Sequence, residues 1–344
     1  MKLLIYTDNH FSKYSSILRT RGEKYSKRLE NQIQSLNWVN QVAKEKYCDA
    51  IICLGDFFDS QTLDAEELSA LKDIKWGGLS QVFLVGNHEL GISANAFNSA
   101  NLFNLLDGCT VESKPHSFCI GDTLVLFLPY IVESERQPLE QYISYTKEHY
   151  NKVLVLSHND ISGIQYGGFK SNVGFPIEEI NEHCDLFING HLHNGSTIGS
   201  KVVLLGNLTG QNFNEDGFNY GHRVMILETD TLKYEFIENP YAIYFYKLDF
   251  TKGIPKSICV NSERCVLSIT IKDSQVDDIK EWASKEKNIL EYRLIVKQDD
   301  TNTRNVDKVE TISKVDHFQE FVDLVHSKVG NSKDIDEELG EILK

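Results

Sequence analysis

No apolar run in the 344 residues approaches the length needed to cross a membrane, and none of the seven cysteines forms a Cys-x-x-Cys pair. A spanning helix needs about 20 apolar residues, so no membrane association is expected. The sequence enters a strand at once, with no basic and apolar leader ahead of it, so no signal peptide is expected. Cys48, Cys53, Cys109, Cys119, Cys184, Cys259 and Cys265 stand singly, mostly in apolar surroundings. An odd, scattered set reads as reduced, buried thiols and a cytoplasmic protein. Internal repeats and low-complexity segments are absent too. Positive charge is scarce: 35 Lys and Arg face 50 Asp and Glu, a formal charge of −15. That balance works against holding a polyanion, whose affinity for proteins comes largely from Lys and Arg displacing counterions.

The charge is unevenly spread. Residues 11–28 carry Lys13, Arg19, Arg21, Lys24, Lys27 and Arg28 against Glu23 alone, whereas residues 299–344 carry twelve acids and six bases. The apolar fraction of 41% and charged fraction of 25% are those of an ordinary globular protein, long enough for one large domain with appendages.

Five apolar stretches end in the same way. Leu3-Leu4-Ile5-Tyr6 leads to Asp8-Asn9-His10, and Ala50-Ile51-Ile52-Cys53-Leu54 leads to Gly55-Asp56. Val82-Phe83-Leu84-Val85 leads to Gly86-Asn87-His88-Glu89, and Val153-Leu154-Val155-Leu156 leads to Ser157-His158-Asn159. Leu186-Phe187-Ile188 leads to Asn189-Gly190-His191-Leu192-His193-Asn194. Their length and lack of helical period read as buried strands. Open α/β sheets place their sites outside the carboxyl ends of strands, so five such ends make one site. Asp, His and Asn side chains delivered there are metal ligands in type. Their mixed nitrogen and oxygen donors suit Mn, Fe or Zn better than Mg or Ca. A carboxylate is the natural bridge between two ions, and Asp56 is the candidate.

In order, D-x-H, G-D-x-x-D, G-N-H-E, a strand-end His and G-H-x-H resemble the motifs of the calcineurin-like metallophosphoesterase superfamily over about residues 1–240. Within it the chain is most similar to the SbcD-type nuclease subunits of DNA repair and to phage recombination endonuclease subunits. The resemblance implies an α/β fold, a four-layer αββα sandwich. It assigns Asp8, His10 and His193 with Asp56 to one ion, and Asn87, His158 and His191 with Asp56 to the other. It makes His88 the catalytic non-ligand, and favours two Mn2+ as the cofactors. Glu89 is expected to orient His88. Asp59 departs from the nuclease branch, which commonly has His at this position; it reads as a carboxylate behind the ligands. His222 is the one further histidine to watch, because it closes a loop from Asn219.

Residues 63–74, 95–106 and 134–149 read as helices, and strands near 196–205, 222–228 and 233–238 complete a second sheet. A small α+β capping, DNA-orienting domain follows at 241–298, then a linker at 299–312 and a helical segment at 313–344. Phe318, Phe321, Val322, Val325 and Val329 stripe that segment. Resemblance implies that it docks on an SbcC-like coiled-coil ATPase, and that the chain forms a homodimer. The leading expectation is a DNA exo- or endonuclease subunit, with Lys13, Arg19, Arg21 and Lys24 contacting DNA. A phosphomonoesterase or small-molecule phosphodiesterase is the alternative, and a scaffold subunit with little chemistry a third.

Overall fold

The computed structural model describes residues 1–13, 18, 21–90, 99–143, 149–166, 169–256 and 264–297, with the backbone of 308–313. Two six-stranded sheets dominate the first of two compact units, which covers Met1–Tyr246 and takes in Arg264. One sheet runs, in spatial order, Lys233–Glu238, Arg223–Glu228, Lys2–Tyr6, Ala50–Cys53, Ser80–Leu84 and Cys109–Glu112. The last four are mutually parallel, and Arg223–Glu228 adds antiparallel to Lys2–Tyr6. The other sheet runs Ser196–Ile198, Val202–Leu204, Leu186–Asn189, Lys152–Ser157, Thr123–Leu128 and His116–Ile120. Its middle four strands are parallel.

Strand alternation sorts side chains into layers. Leu3 and Ile5 join Ile52, Leu84, Leu154, Leu156 and Ile188 in a core drawn from both sheets. Leu4 and Tyr6, on the opposite face, pack with Leu29, Leu36 and Val39 of the long helix Lys27–Glu45. Ser26 caps that helix by accepting from the Leu29 amide. Phe187, Val155 and Leu126, on the outer face of the second sheet, pack with Ile180 of the helix Ile177–His183. Helix, sheet, sheet, helix is the αββα order.

Several local expectations change. Arg223–Glu228 and Lys233–Glu238 extend the first sheet, not the second, because Lys2–Tyr6 has an open edge that they pair with. The helix expected at 63–74 is confined to Ala65–Leu71, capped by Asp64 in a reciprocal box with Glu67. The described residues of the region 134–149 form no α-helix and include the 3-10 turns Glu133–Glu135 and Leu139–Tyr142. Ser99–Leu105, inside the helix expected at 95–106, is also a 3-10 turn. Short strand pairs lie beyond Asp160, among them Ile161–Ser162 with Phe175–Pro176.

The second unit starts at Lys247. Cys265–Lys272, the helix Val276–Lys285 and Ile289–Lys297 form a β-α-β unit with parallel strands. Lys308–Ser313 then pairs antiparallel with Ile289–Lys297. The linker read at 299–312 therefore ends in a strand, because a free edge of the parallel pair accepts it. Residues 314–344, with the apolar stripe, lie outside the described residues. Among the described residues no helix is long and apolar enough to cross a membrane.

Candidate metal centre

All five expected strand ends converge on the carboxyl edges of the two sheets. The backbone there is unusual. Asp8, His10, Asp56 and His191 have φ of 51°, 46°, 47° and 69°, a left-handed conformation that side chains other than glycine disfavour. Such strain persists only where surroundings over-determine it. Gln32 Nε2 donates to the carbonyls of Asn9 and His10 at 2.8 and 2.7 Å, and Gln211 Nε2 donates to Asn9 at 3.1 Å. Arg28, counted in the basic stretch, is buried beneath this turn and donates to the His10 carbonyl and to Gln211.

Two glycines permit the close approach. A Cβ on Gly86 would stand 2.1 Å from Asp56 Oδ1, and one on Gly55 (φ 131°) 2.5 Å from His158 Nδ1. Glu89 closes the Asp56 and Gly86 turns: its carboxylate accepts from the amides of Asp56, Phe58 and Gly86 at 3.1, 2.9 and 2.6 Å. The expectation that Glu89 orients His88 is thereby corrected. Those three buried amides take its oxygens, while His88 Nδ1 sits 2.9 Å from the Asp59 carbonyl oxygen. Burial, with the Asp56 charge beside it, pushes the Glu89 carboxyl up to about 8. On the second sheet, Asn159 and Asn189 lock the His158 and His191 turns together. The Asn159 amide donates to Asn189 Oδ1, and Asn189 Nδ2 donates back to the Asn159 carbonyl.

Asp8, His10 and His193 form one cluster whose candidate ligand atoms lie within 4.8 Å of one another; Asp56, His158 and His191 form another, and His10, Asp56 and His88 a third. Asp56 Oδ2 is 3.8 Å from His10 Nε2 and 3.1 Å from His158 Nε2, so one carboxylate stands between the first two. Asn87 Oδ1 is 2.9 Å from His191 Nδ1. Asp8 Oδ1 and both ring nitrogens of His158 are buried without a hydrogen-bond partner among the described residues; His158 Nε2 is close to Asp56 but not aligned with it. His10 Nε2 and His193 Nε2 face each other at 3.0 Å. Buried carboxylate oxygens and imidazole nitrogens gathered without partners are costly. Divalent cations would satisfy them, so the residues fit two such ions.

Buried imidazoles and carboxylates in these clusters set one another's protonation. Burial opposes the His10 charge, but Asp59 and Asp8 outweigh it and raise the imidazole to about 10. Burial likewise opposes the Asp8 carboxylate, yet His158, His10 and His193 hold it near 2. Asp56 is held far below the ordinary range, against burial, chiefly by His158.

Behind these residues stand carboxylates. Asp59 Oδ1 is 3.0 Å from His10 Nδ1, Glu215 Oε1 3.0 Å from His193 Nδ1, and Asp160 Oδ1 3.2 Å from His191 Nε2. Asp160 and Glu215 escaped the sequence reading. Asp160 directly follows Ser157-His158-Asn159, a visible signal; Glu215 lies 22 residues beyond His193, at no strand end. His222 is buried away from the clusters. Its Nδ1 lies 2.7 Å from Asn207 Oδ1, and Asn207 Nδ2 donates to Glu215. Of the residues expected to meet DNA, Lys13 is paired with Asp64 and with Glu66, and Lys24 with Asp73 at 2.7 Å. Arg21 shares a cleft with them. Arg19 lies outside the described residues.

A profile of the calcineurin-like phosphoesterase family matches residues 1–195. Among solved structures, the TT1561 protein of Thermus thermophilus and a dimetal phosphatase from Danio rerio each share 13% identity, covering 69% of this chain and 98% of theirs, with TM-scores of 0.40. The calcineurin-like phosphoesterase YfkN from Bacillus subtilis shares 12% over 69% of this chain and 88% of its own, with a TM-score of 0.35. No curated protein matches the chain.

Proposed function

Because this chain belongs to the calcineurin-like phosphoesterase family, we propose that it is a metal-dependent phosphodiesterase whose substrate is DNA. The observation that carries the phosphodiesterase reading is Asp56, one buried carboxylate set between two His-rich clusters. Asp8, His10 and His193 would hold one divalent ion, and Asn87, His158 and His191 the other, with Asp56 common to both. Such ions, Mn2+ by resemblance, supply neutralisation of the phosphate and a water acidic enough to attack it. His88 is the acid. Its side chain is 40% exposed, its ring lies 4.6 Å from that of His10, and its amide donates to Asp56 Oδ1 at 2.9 Å. From there it offers a proton to the leaving oxygen. Asp59 steadies both rings, holding His10 through its carboxylate and His88 through its carbonyl.

DNA as substrate rests on the likeness of the five motifs to SbcD-type subunits and on the basic stretch around Lys13, Arg21 and Lys24. The same reading makes the chain a homodimer that works with a coiled-coil ATPase bound through residues 313–344. One observation favours a small phosphoester instead: Lys13 and Lys24 are compensated by Asp64, Glu66 and Asp73.

The deciding experiment offers end-labelled linear DNA and an aryl phosphodiester to the Mn2+-loaded chain, with Asp56→Asn as control. DNA degradation lost in the variant is expected. Aryl ester cleavage with DNA intact, with or without the ATPase, would transfer the assignment to small substrates.

A further inference from the structure

A cleft of about 450 Å3 opens directly beside His191 and His193. Its size is that of a small-molecule site. Among the described residues no Lys or Arg lines it, and the one carboxylate, Glu215, already receives His193, Asn207 and the Gln211 amide. What remains is neutral and polar. Asn194, Asn212 and Asn214 present carboxamides, and Tyr220 a phenol. Asn194 Oδ1 accepts from the Asp216 amide and Asn212 Oδ1 from the Asn214 amide. Among the described residues, the Nδ2 groups of Asn194 and Asn212, the whole Asn214 carboxamide and the Tyr220 hydroxyl have no partner. Leu192 and Ile164 add apolar wall.

This chemistry does not suit an anion or a cation. It suits a flat, uncharged ring with hydrogen-bonding edges. Carboxamides pair with the donor and acceptor edges of bases, and an aromatic ring stacks on a base face. We propose that the cleft is a base-binding subsite: the nucleobase carried by the phosphoryl group at His191 and His193 enters it, stacks on Tyr220 and pairs with Asn194, Asn212 and Asn214. The inference rests on the phosphoester reading above and narrows its substrates to nucleotidyl esters. It also requires the base to be unpaired, so single-stranded ends are cleaved ahead of intact duplex.

Two measurements separate the inference from its premise. The Mn2+-loaded chain is assayed on thymidine 5′-(p-nitrophenyl phosphate) and on methyl p-nitrophenyl phosphate. The first should be favoured at least tenfold in kcat/KM, and in Asn212→Ala/Asn214→Ala and in Tyr220→Ala the ratio should fall towards one. Asn214 is exposed, and circular dichroism confirms folding of each variant. Separately, thymidine and adenosine are titrated into the metal-free chain and followed by saturation-transfer NMR. Binding that both variants lose supports the subsite. Equal cleavage of the two esters by the wild type overturns it and leaves the phosphodiesterase intact. Inactivity on every ester, with nucleosides still bound, sinks the phosphoester premise but keeps the base site. Absence of nucleoside binding, or stronger binding of a methyl glycoside, overturns the base site.

Discussion

His10 is pressed by three neighbours: Asp59 on Nδ1, with Asp8 and Asp56 near Nε2. In the cation-free protein these hold its proton up to about 10. A raised imidazole contributes stability that is complete below its unfolded value of 6.5 and lost as pH climbs through 10. A cation must displace that proton. Ion uptake should therefore release protons and tighten between about pH 6 and 9, as calorimetry in buffers of different ionisation enthalpy would show; uptake without proton release would contradict this. His88 differs, since it is half exposed and meets Asp56 through its backbone. His88→Ala should retain both ions by elemental analysis while kcat falls about 10²- to 10⁴-fold, the usual worth of a general acid. Loss of an ion would make His88 a ligand.

The turn after Ala50–Cys53 shows how an element carries Asp56, a candidate metal ligand. Phe57 and Phe58 follow Asp56 and enter a buried aromatic cluster with Phe83, Phe103 and Trp76. Phe103 stacks on Phe83 with ring centroids 3.7 Å apart and planes 6° apart. Phe103→Ala should cost about 3–5 kcal/mol in urea unfolding, the range for a buried aromatic lost from a core. Gly86→Ala tests the neighbouring turn, after Ser80–Leu84, that packs against Asp56. The added Cβ would meet Asp56 Oδ1, backed by the Asp56 amide at 2.5 Å, so neither of the two adjacent turns can yield cheaply. Ion stoichiometry should fall below two even where the protein stays folded; two ions bound at wild-type affinity would show that the turn is softer than its contacts imply.

For the molecule as a whole, every cluster of candidate ligands found among the described residues lies between Asp8 and His193, in the first unit. The useful truncation point is Ser313, because Lys308–Ser313 pairs along the whole of its length with Ile289–Lys297. A chain ending there should keep ion binding and ester hydrolysis at wild-type level. If residues 314–344 dock the ATPase, it should also lose co-purification; retained co-purification would place the partner elsewhere. The thiols report on the intactness of the fold. Burial pushes Cys184 and Cys265 up to about 12, and all six described cysteines are free. Both should resist alkylation at about pH 8 in the native chain and react on unfolding.

The strands, and the Asp and His residues that their ends bring into metal-type clusters, were legible from local pattern. Apolar runs of four or five residues ending in Asp, His or Asn need no tertiary information to be seen, and Gly55, Gly86 and Gly190 mark the turns. Other features depend on which segments meet. Arg223–Glu228 joins the first sheet because an edge strand is open there, which no periodicity encodes. Glu89 serves three buried amides instead of its neighbour His88 because Asp56 and Gly86 converge on it. Asp59 and Glu215 reach histidines 49 and 22 residues away, and Lys13 and Lys24 form ion pairs with Asp64 and Asp73, about 50 residues further along the chain. Sequence spacing carries the period of an element, whereas hydrogen bonds and ion pairs between elements depend on distances that exist only once the chain has packed.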